Sequence, residues 1–207
     1  MPIDYTKARR TIARRDPVIG GLMRRHGRCG LIDSQHTDPF RALVHAIVSQ
    51  QLSTKAAATI ASRVEGLLGG LPTPARVAAV SDVQLRAAGL SGQKVGYLRD
   101  LCQRMEDGSL QLDALDDMTD EGVITALTSV KGIGRWTAEM FLMFRLHRPD
   151  VFPVGDLGIV KAIKVAYGLR ALPTPTRMLR LGEAWRPYRS VACWYLWASL
   201  DNVQTRK

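Results

Sequence analysis

The chain has 207 residues, of which 46% are hydrophobic and 23% are charged. These proportions are close to those of an average globular protein, and they argue against a disordered chain, a collagen and a membrane protein. Lysine and arginine total 29 against 19 aspartate and glutamate residues, which gives a formal net charge of +10. This excess predicts an acidic polymer as the partner and favours nucleic acid over an anionic membrane.

Cysteine usage restricts the chemistry further. Cys29, Cys102 and Cys193 lie far apart and form no C-x-x-C pair, which argues against a disulfide framework, a zinc ribbon and a four-cysteine iron–sulfur cluster. The first ten residues contain no apolar core like that of a signal peptide. We therefore expect a reducing location, in the cytoplasm and associated with the nucleoid.

Helix signals recur along most of the chain. Asp16-Pro17 and Asp38-Pro39 each combine a candidate N-cap with proline at the first helical position, and Gly27 is a candidate stop for the first of these helices. Apolar residues then recur at spacings of three and four, and no alternating run predicts a sheet. Further candidate N-caps are Ser53, Ser81, Ser91 and Thr119. The sequence predicts an all-α protein of about ten short helices.

Three arginine pairs stand near the N-terminus, at positions 9–10, 14–15 and 24–25. A solvated helix face explains such pairs, and direct contact with a nucleic acid is the alternative.

Gly132 and Gly134 separate two predicted helices by a tight turn. Glycine permits backbone angles that other residues resist and holds no partner away. The amides at the start of the second helix, together with its positive dipole end, suit a phosphate group. Ile133 is expected to point inward and pin the hairpin, and the basic Lys131 precedes it. An ordinary helix–helix turn is the alternative.

This segment resembles the helix-hairpin-helix of the DNA glycosylase superfamily, in which a loop rich in glycine and proline leads to a catalytic aspartate. Asp156 stands at that position, in the segment Val151–Leu157. The resemblance is close to the 3-methyladenine DNA glycosylase II (AlkA-like) branch. It includes residues 46–53, 89–94 and 185–190 and covers the chain from about residue 30 to 200.

The resemblance implies an all-α, two-lobed helical fold with the active-site cleft between the lobes. One lobe would comprise residues 37–147 and contain the helix-hairpin-helix. The other would combine residues 1–36 with 148–207 and carry Asp156.

The catalytic role implied for Asp156 is to stabilise positive charge on the sugar as the glycosidic bond breaks. A simple helix N-cap is the alternative, and both roles are compatible. Members of the superfamily that also nick the backbone carry a lysine nucleophile two residues after the second hairpin glycine. Here that residue is Trp136, which predicts a monofunctional enzyme without lyase activity. The chain also lacks the four C-terminal cysteines of the iron–sulfur members, so we expect no such cluster and no required cofactor.

The remaining site residues are also implied by the resemblance. Aromatic faces attract cationic bases, and the candidate base pocket is Trp136, Trp197 and Phe40, with Tyr188 and Trp194 as weaker candidates and core packing as the alternative. Gln51, with Leu52 as the alternative, would fill the gap left by a flipped base, unless these residues only end a helix and fill the core. Phosphate contacts fall to Lys131, Gly132, Gly134, Arg135 and Thr137. A monovalent cation (Na+ or K+) would bind the backbone carbonyls of Thr128, Val130 and Ile133.

The expected function is therefore excision of alkylated bases, such as 3-methyladenine and 7-methylguanine, from double-stranded DNA, leaving an abasic site. We expect the chain to act as a monomer without a membrane partner. Two alternatives remain: a helix-hairpin-helix module that binds DNA without catalysis, and a glycosylase for a mismatched or oxidised base.

Overall fold

Helices are the only regular elements in the part of the chain that the computed structural model describes, residues 3–33 and 38–204. This confirms the all-α prediction. The α-helices are α1 (Tyr5–Arg15), α2 (Pro17–His26), α3 (Pro39–Ser49), α4 (Thr54–Leu67), α5 (Pro74–Ala79), α6 (Asp82–Ala87), α7 (Gly92–Glu106), α8 (Asp120–Thr128), α9 (Arg135–Phe144), α10 (Leu157–Ala166), α11 (Pro175–Gly182) and α12 (Arg189–Gln204). Short 3-10 helices occupy Gly30–Asp33, Leu112–Asp117 and Glu183–Trp185.

The predicted N-caps are confirmed by their hydrogen bonds. Asp16 accepts from the amides of Val18 and Ile19, and Asp38 accepts from that of Arg41. Four hydroxyl caps were also predicted. In each of them the side-chain oxygen accepts a hydrogen bond from the backbone amide of the third residue of the helix, at Ser53, Ser81, Ser91 and Thr119. Gly27 ends α2 with a positive φ of 69°. Three helices that the sequence did not predict individually, α1, α5 and α11, are capped in the same way by Asp4, Thr73 and Thr174.

The helices belong to two compact units. The first comprises Met1–Ser34 and Leu142–Lys207. In this unit α12 packs on α2 and α10, and α1 packs on α2. Its core includes the fully buried Ile12, Ile19, Ile159 and Trp185.

The second unit comprises Gln35–Phe141. Here α7 is central, because α3, α5 and α6 all pack against it. Leu43, Leu85, Leu98, Leu101 and Leu127 are fully buried in this core. The predicted lobe boundary at residues 36 and 37 lies outside the described residues.

The arginine pairs near the N-terminus lie mostly on the surface of the protein. Arg10, Arg14, Arg15, Arg24 and Arg25 are exposed, whereas Arg9 is half-buried. None of the described helices is both long and apolar enough to cross a membrane.

The three thiols are all reduced. Cys29 and Cys193 are buried and Cys102 is half-buried. Burial raises the pKa of Cys29 and of Cys102 to about 11.

Candidate functional site

Asp156 is the N-cap of α10. Its backbone is extended, and its Oδ1 atom accepts a hydrogen bond from the Ile159 amide at 2.7 Å. Only 9% of the residue is exposed. The positive end of the helix dipole favours a carboxylate at this position. The structure therefore contains the N-cap that the sequence offered as the alternative to catalysis, and this bond engages Oδ1.

The indole of Trp197 fixes the same carboxylate oxygen. Its Nε1–H donates to Oδ1 of Asp156 at 2.9 Å, and its ring stacks on Phe144 with centroids 6.0 Å apart. A Cβ at Gly158 would lie 2.9 Å from that oxygen, closer than Cβ contacts come in proteins, and 3.1 Å from Cδ1 of Trp197, which would have to shift. Glycine at position 158 therefore makes room for the pairing of Asp156 with Trp197.

The hairpin of the second unit has the predicted form. Gly132 adopts a φ of +79°, and a Cβ there would run into the ring of Tyr97. Ile133 is 3% exposed, so it does point inward. Gly134 differs from its neighbour because its φ is not positive, and the space around it is open. A glycine there leaves the start of α9 uncovered by a side chain, and the first amides of a helix have no acceptor within it.

Charged side chains surround this hairpin. Asp100 of α7 accepts the Lys131 amide at 2.9 Å and the Arg104 Nε at 2.9 Å, while the Lys131 side chain is 73% exposed. Burial opposes ionisation of Asp100, but the bonds from the Lys131 amide and Arg104 outweigh it and hold the pKa below its ordinary value. The hairpin is thus attached to α7 by an ionised carboxylate.

Two of the predicted phosphate contacts are less accessible than expected: Arg135 is ion-paired, and Thr137 is buried. The Arg135 guanidinium pairs with Glu121 at 2.6 Å and with Glu139 at 3.2 Å. Thr137 is 7% exposed. Both predicted cations at this helix start are thus exposed and ion-paired, because the Arg135 side chain is 58% exposed and Nζ of Lys131 lies 3.5 Å from Oδ1 of Asp100.

The predicted wedge residues lie on the turn after α3. Gln51 is exposed and has a φ of +57°, and Leu52 is 37% exposed, so neither is a core residue. The neighbouring Gln50 donates through Nε2 to the carbonyl of Gly132 at 2.8 Å. This bond joins the turn after α3 to the hairpin, although the two segments are far apart in the sequence.

The candidate pocket aromatics differ widely in exposure. Trp136 is 51% exposed, on the first turn of α9. Trp197, Trp194 and Tyr188 are half-buried. Phe40 is 4% exposed, on the buried face of α3. Of this set, Trp136 offers the most open ring.

The carbonyls predicted to bind a cation lie in the turn between α8 and α9. The Val130 carbonyl accepts the Ile133 amide at 3.1 Å. A carbonyl oxygen has a second lone pair, so this bond leaves a position for a hard cation. No group of three His, Cys, Asp or Glu side chains in the described ranges is placed to hold a metal ion.

Four relations in these sites were missed by the sequence analysis. They are the indole bond of Trp197 to Asp156, the space requirement at Gly158, the attachment of the hairpin to Asp100, and the bond of Gln50 to Gly132. Only Gly158 left a signal, a glycine in the first turn of a predicted apolar helix.

Comparisons with known proteins agree with this architecture. Residues 44–187 match the family model of the HhH-GPD superfamily base excision DNA repair protein. The chain is 36% identical to DNA-3-methyladenine glycosylase 1 of Schizosaccharomyces pombe over 163 residues, covering 77% of this chain and 72% of the relative.

Two solved structures are similar over almost the whole chain. The first is the crystal structure of a DNA-3-methyladenine glycosidase from Bacillus halodurans (TM-score 0.83, 40% identity, 95% of this chain and 90% of that one). The second is the S. pombe 3-methyladenine DNA glycosylase in complex with abasic DNA (TM-score 0.82, 31% identity, 94% of this chain and 97% of that one). The chain therefore belongs to the HhH-GPD superfamily of base excision DNA repair proteins.

Proposed function

We propose that the chain is a monofunctional DNA glycosylase that hydrolyses the N-glycosidic bond of alkylated bases flipped out of duplex DNA. The observation that carries this proposal is the Asp156 carboxylate, which lies within the segment 44–187 that matches the family model and is held by the Ile159 amide and the half-buried indole of Trp197. Two similar proteins named for 3-methyladenine support the class of base. The S. pombe structure solved in complex with abasic DNA supports DNA as the partner.

The chemistry required of Asp156 is electrostatic. As the bond between C1′ and the base breaks, its electron pair leaves with the base and positive charge develops on the sugar. A carboxylate about 4 Å from that charge contributes roughly 4 kcal/mol at an effective dielectric near 20, or about a thousandfold in rate. Water then bonds to C1′ and loses a proton, which leaves an abasic site.

Alkylated purines suit this modest assistance. 3-Methyladenine and 7-methylguanine carry formal positive charge, so their glycosidic bonds are already weakened. An electron-rich indole attracts such a cation, and Trp136, which is 51% exposed, is the most exposed of the candidate aromatic residues. Trp197 gives its N–H to Asp156, so we assign to it the positioning of that carboxylate as well as contact with the base.

We infer that the enzyme has no lyase activity. The position where bifunctional members of the superfamily carry their lysine nucleophile is Trp136, and an indole cannot form a Schiff base. Borohydride is therefore expected to trap no covalent adduct between the protein and DNA.

The second unit is assigned to DNA binding. The start of α9 and Lys131 would hold phosphate, and Gln51 or Leu52 would occupy the gap left by the flipped base. A sodium or potassium ion on the carbonyls of the hairpin would add positive charge next to that phosphate. We propose that the chain does this as a monomer on chromosomal DNA in the cytoplasm.

The decisive experiment measures release of alkylated bases from methylated DNA under single-turnover conditions. Asp156→Asn keeps an N-cap of equal quality and an oxygen for Trp197 while it removes the charge, so the rate should fall about a thousandfold. Asp113→Asn, at an exposed aspartate of the 3-10 helix Leu112–Asp117, is the matched control and should leave the rate unchanged.

Two results would refute the proposal: no base release by the wild-type protein, or an undiminished rate in Asp156→Asn. Substrate duplexes with ethenoadenine, mismatched bases and adenine opposite 8-oxoguanine, tested in parallel, distinguish the alkylated class from mismatched or oxidised ones.

A further inference from the structure

Helix α7 contacts both of the turns assigned to DNA. Lys94, in its first turn, donates through Nζ to the carbonyl oxygens of Val48 and Gln50, each at 2.7 Å. Further along the helix, Asp100 accepts the Lys131 amide at 2.9 Å. One helix of the second unit thus holds the turn after α3 and the hairpin by separate charged side chains.

Between these two contacts, Tyr97 lies against the hairpin. Its ring occupies the space that a side chain at position 132 would need. Residues 94, 97 and 100 follow at intervals of three, and residues three apart are neighbours on a helix surface. The three side chains therefore form a continuous support, which we call the α7 brace (Lys94, Tyr97 and Asp100).

Lys94 acts on the end of α3. The last carbonyls of a helix have no partner within it, and the helix dipole places negative charge there. A half-buried ammonium that donates two short bonds satisfies both requirements. Lys94 is partly buried, which lowers its pKa below the ordinary value, and hydrogen bonds are stronger where water is partly excluded.

The turn held by Lys94 contains a strained residue. Gln51 has a φ of +57°, in the left-handed region that an L-residue other than glycine rarely adopts. Such a conformation persists when the surrounding structure fixes it. Two bonds do so here: that of Lys94 to the Gln50 carbonyl, directly before Gln51, and that of the Gln50 side chain to Gly132.

We propose that Lys94 is a positioning residue that holds Gln51 in its exposed, left-handed conformation ready to enter the DNA stack, and that the α7 brace fixes this turn relative to the phosphate-binding hairpin. This inference rests on the proposed function, because it gives the turn and the hairpin the roles assigned there. In this role Lys94 acts through the Gln50 carbonyl and not on the base or the sugar.

Because the turn is already ordered in the folded protein, the free-energy cost of ordering it is not part of DNA binding. Without the Lys94 ammonium, the turn would have to be ordered when the base is flipped. The chemical step at C1′ would stay as it was. Loss of Lys94 should therefore slow excision of a base that must be unpaired and have little effect on a base that is already unpaired.

The test uses Lys94→Met, which keeps the aliphatic stem and removes the ammonium. Single-turnover release of 7-methylguanine is measured from a duplex that pairs it with cytosine and from one that places it opposite an abasic analogue. The paired rate should fall about tenfold or more, as expected for lost bonds to a charged group, and the unpaired rate less than about twofold. Lys7→Met, at an exposed lysine of α1, controls for the loss of one positive charge.

The ratio of the paired to the unpaired rate, measured on one preparation, does not depend on how much of the protein is misfolded. Lys94→Arg keeps the charge and should restore most of the ratio. If Lys94→Met does not fold, Lys94→Gln, which keeps a hydrogen-bond donor, replaces it under the same criterion.

A double mutant identifies the route of the effect. If Lys94 acts through the turn, Lys94→Met should add little to Gln51→Ala, because residues acting as one unit are not additive. Additive losses, or equal losses on paired and unpaired substrates, would overturn the inference while leaving the proposed function intact. If the wild-type protein releases no alkylated base at all, the proposed function itself is wrong.

Discussion

Asp16 and Asp156 occupy nearly the same local structure within the first unit. Each is buried, each is the N-cap of a helix, and each accepts an indole N–H, Asp16 from Trp185 at 2.8 Å and Asp156 from Trp197 at 2.9 Å. Neither the cap nor the indole bond therefore identifies a catalytic carboxylate.

The difference lies in what surrounds the pair. Trp185 is fully buried, and Oδ2 of Asp16 also accepts the hydroxyl of Tyr167, whose pKa is raised by burial and by this bond to Asp16. Both oxygens of Asp16 thus serve protein donors inside a core. The indole next to Asp156 is instead half-buried. The comparison assigns Asp16 to the stability of the first unit, while catalysis is the role proposed for Asp156.

The sharpest way to separate the two caps is to neutralise each charge. Asp156→Asn should lower the rate about a thousandfold and leave the free energy of unfolding nearly unchanged, because asparagine caps equally well. Asp16→Asn should instead cost about 1–3 kcal/mol of stability, since the new amide group cannot accept bonds from both sets of donors. Urea unfolding and single-turnover release, measured on both variants, check this. Equal effects on the rate would mean that the distinction is wrong.

The indoles provide the next largest contrast. Trp197→Phe removes one hydrogen bond to a charged group and should slow base release roughly 10- to 100-fold, with a smaller effect on affinity for undamaged DNA. Trp185→Phe should lower the unfolding free energy by about 1–3 kcal/mol, because it leaves part of Asp16 without its donor. The folded fraction of Trp185→Phe should release base at the wild-type rate, and a slow rate would contradict the structural role of that indole.

The smallest expected effect concerns a third aspartate, Asp100. Its pKa is held below its ordinary value in the folded state, so the unfolded chain takes up the proton first as the pH falls. Stability from this carboxylate is fully present above about pH 4, the range of an ordinary aspartate, and is lost progressively below it. Asp100→Asn should therefore flatten the loss of stability with acid. Urea midpoints measured from neutral pH down to about pH 3 test this, and parallel curves for wild type and variant would refute it.

Sequence reasoning succeeded where the determinants are local. The caps at Asp16, Asp38 and Ser91 involve bonds within three residues, so residue type and position are enough to predict them. The hairpin is equally local, since the positive φ of Gly132 and the inward Ile133 follow from a short glycine turn.

Long-range contacts could not be predicted in this way. The bond of Trp197 to Asp156 spans 41 positions, that of Lys94 to Val48 spans 46, and that of Gln50 to Gly132 spans 82. Such partners are chosen by tertiary packing, which leaves no periodic pattern in the sequence.

The state of the three thiols has a practical consequence for fluorescence and crosslinking experiments. Cysteine reacts as the thiolate, and a pKa of about 11 at Cys29 and Cys102 leaves very little of that form near neutral pH, while Cys193 is fully buried. A cysteine introduced at exposed Leu52 should therefore be modified by maleimide well before the native three. Dyes or disulfide tethers to DNA can then be attached at the turn without first removing any cysteine from the chain.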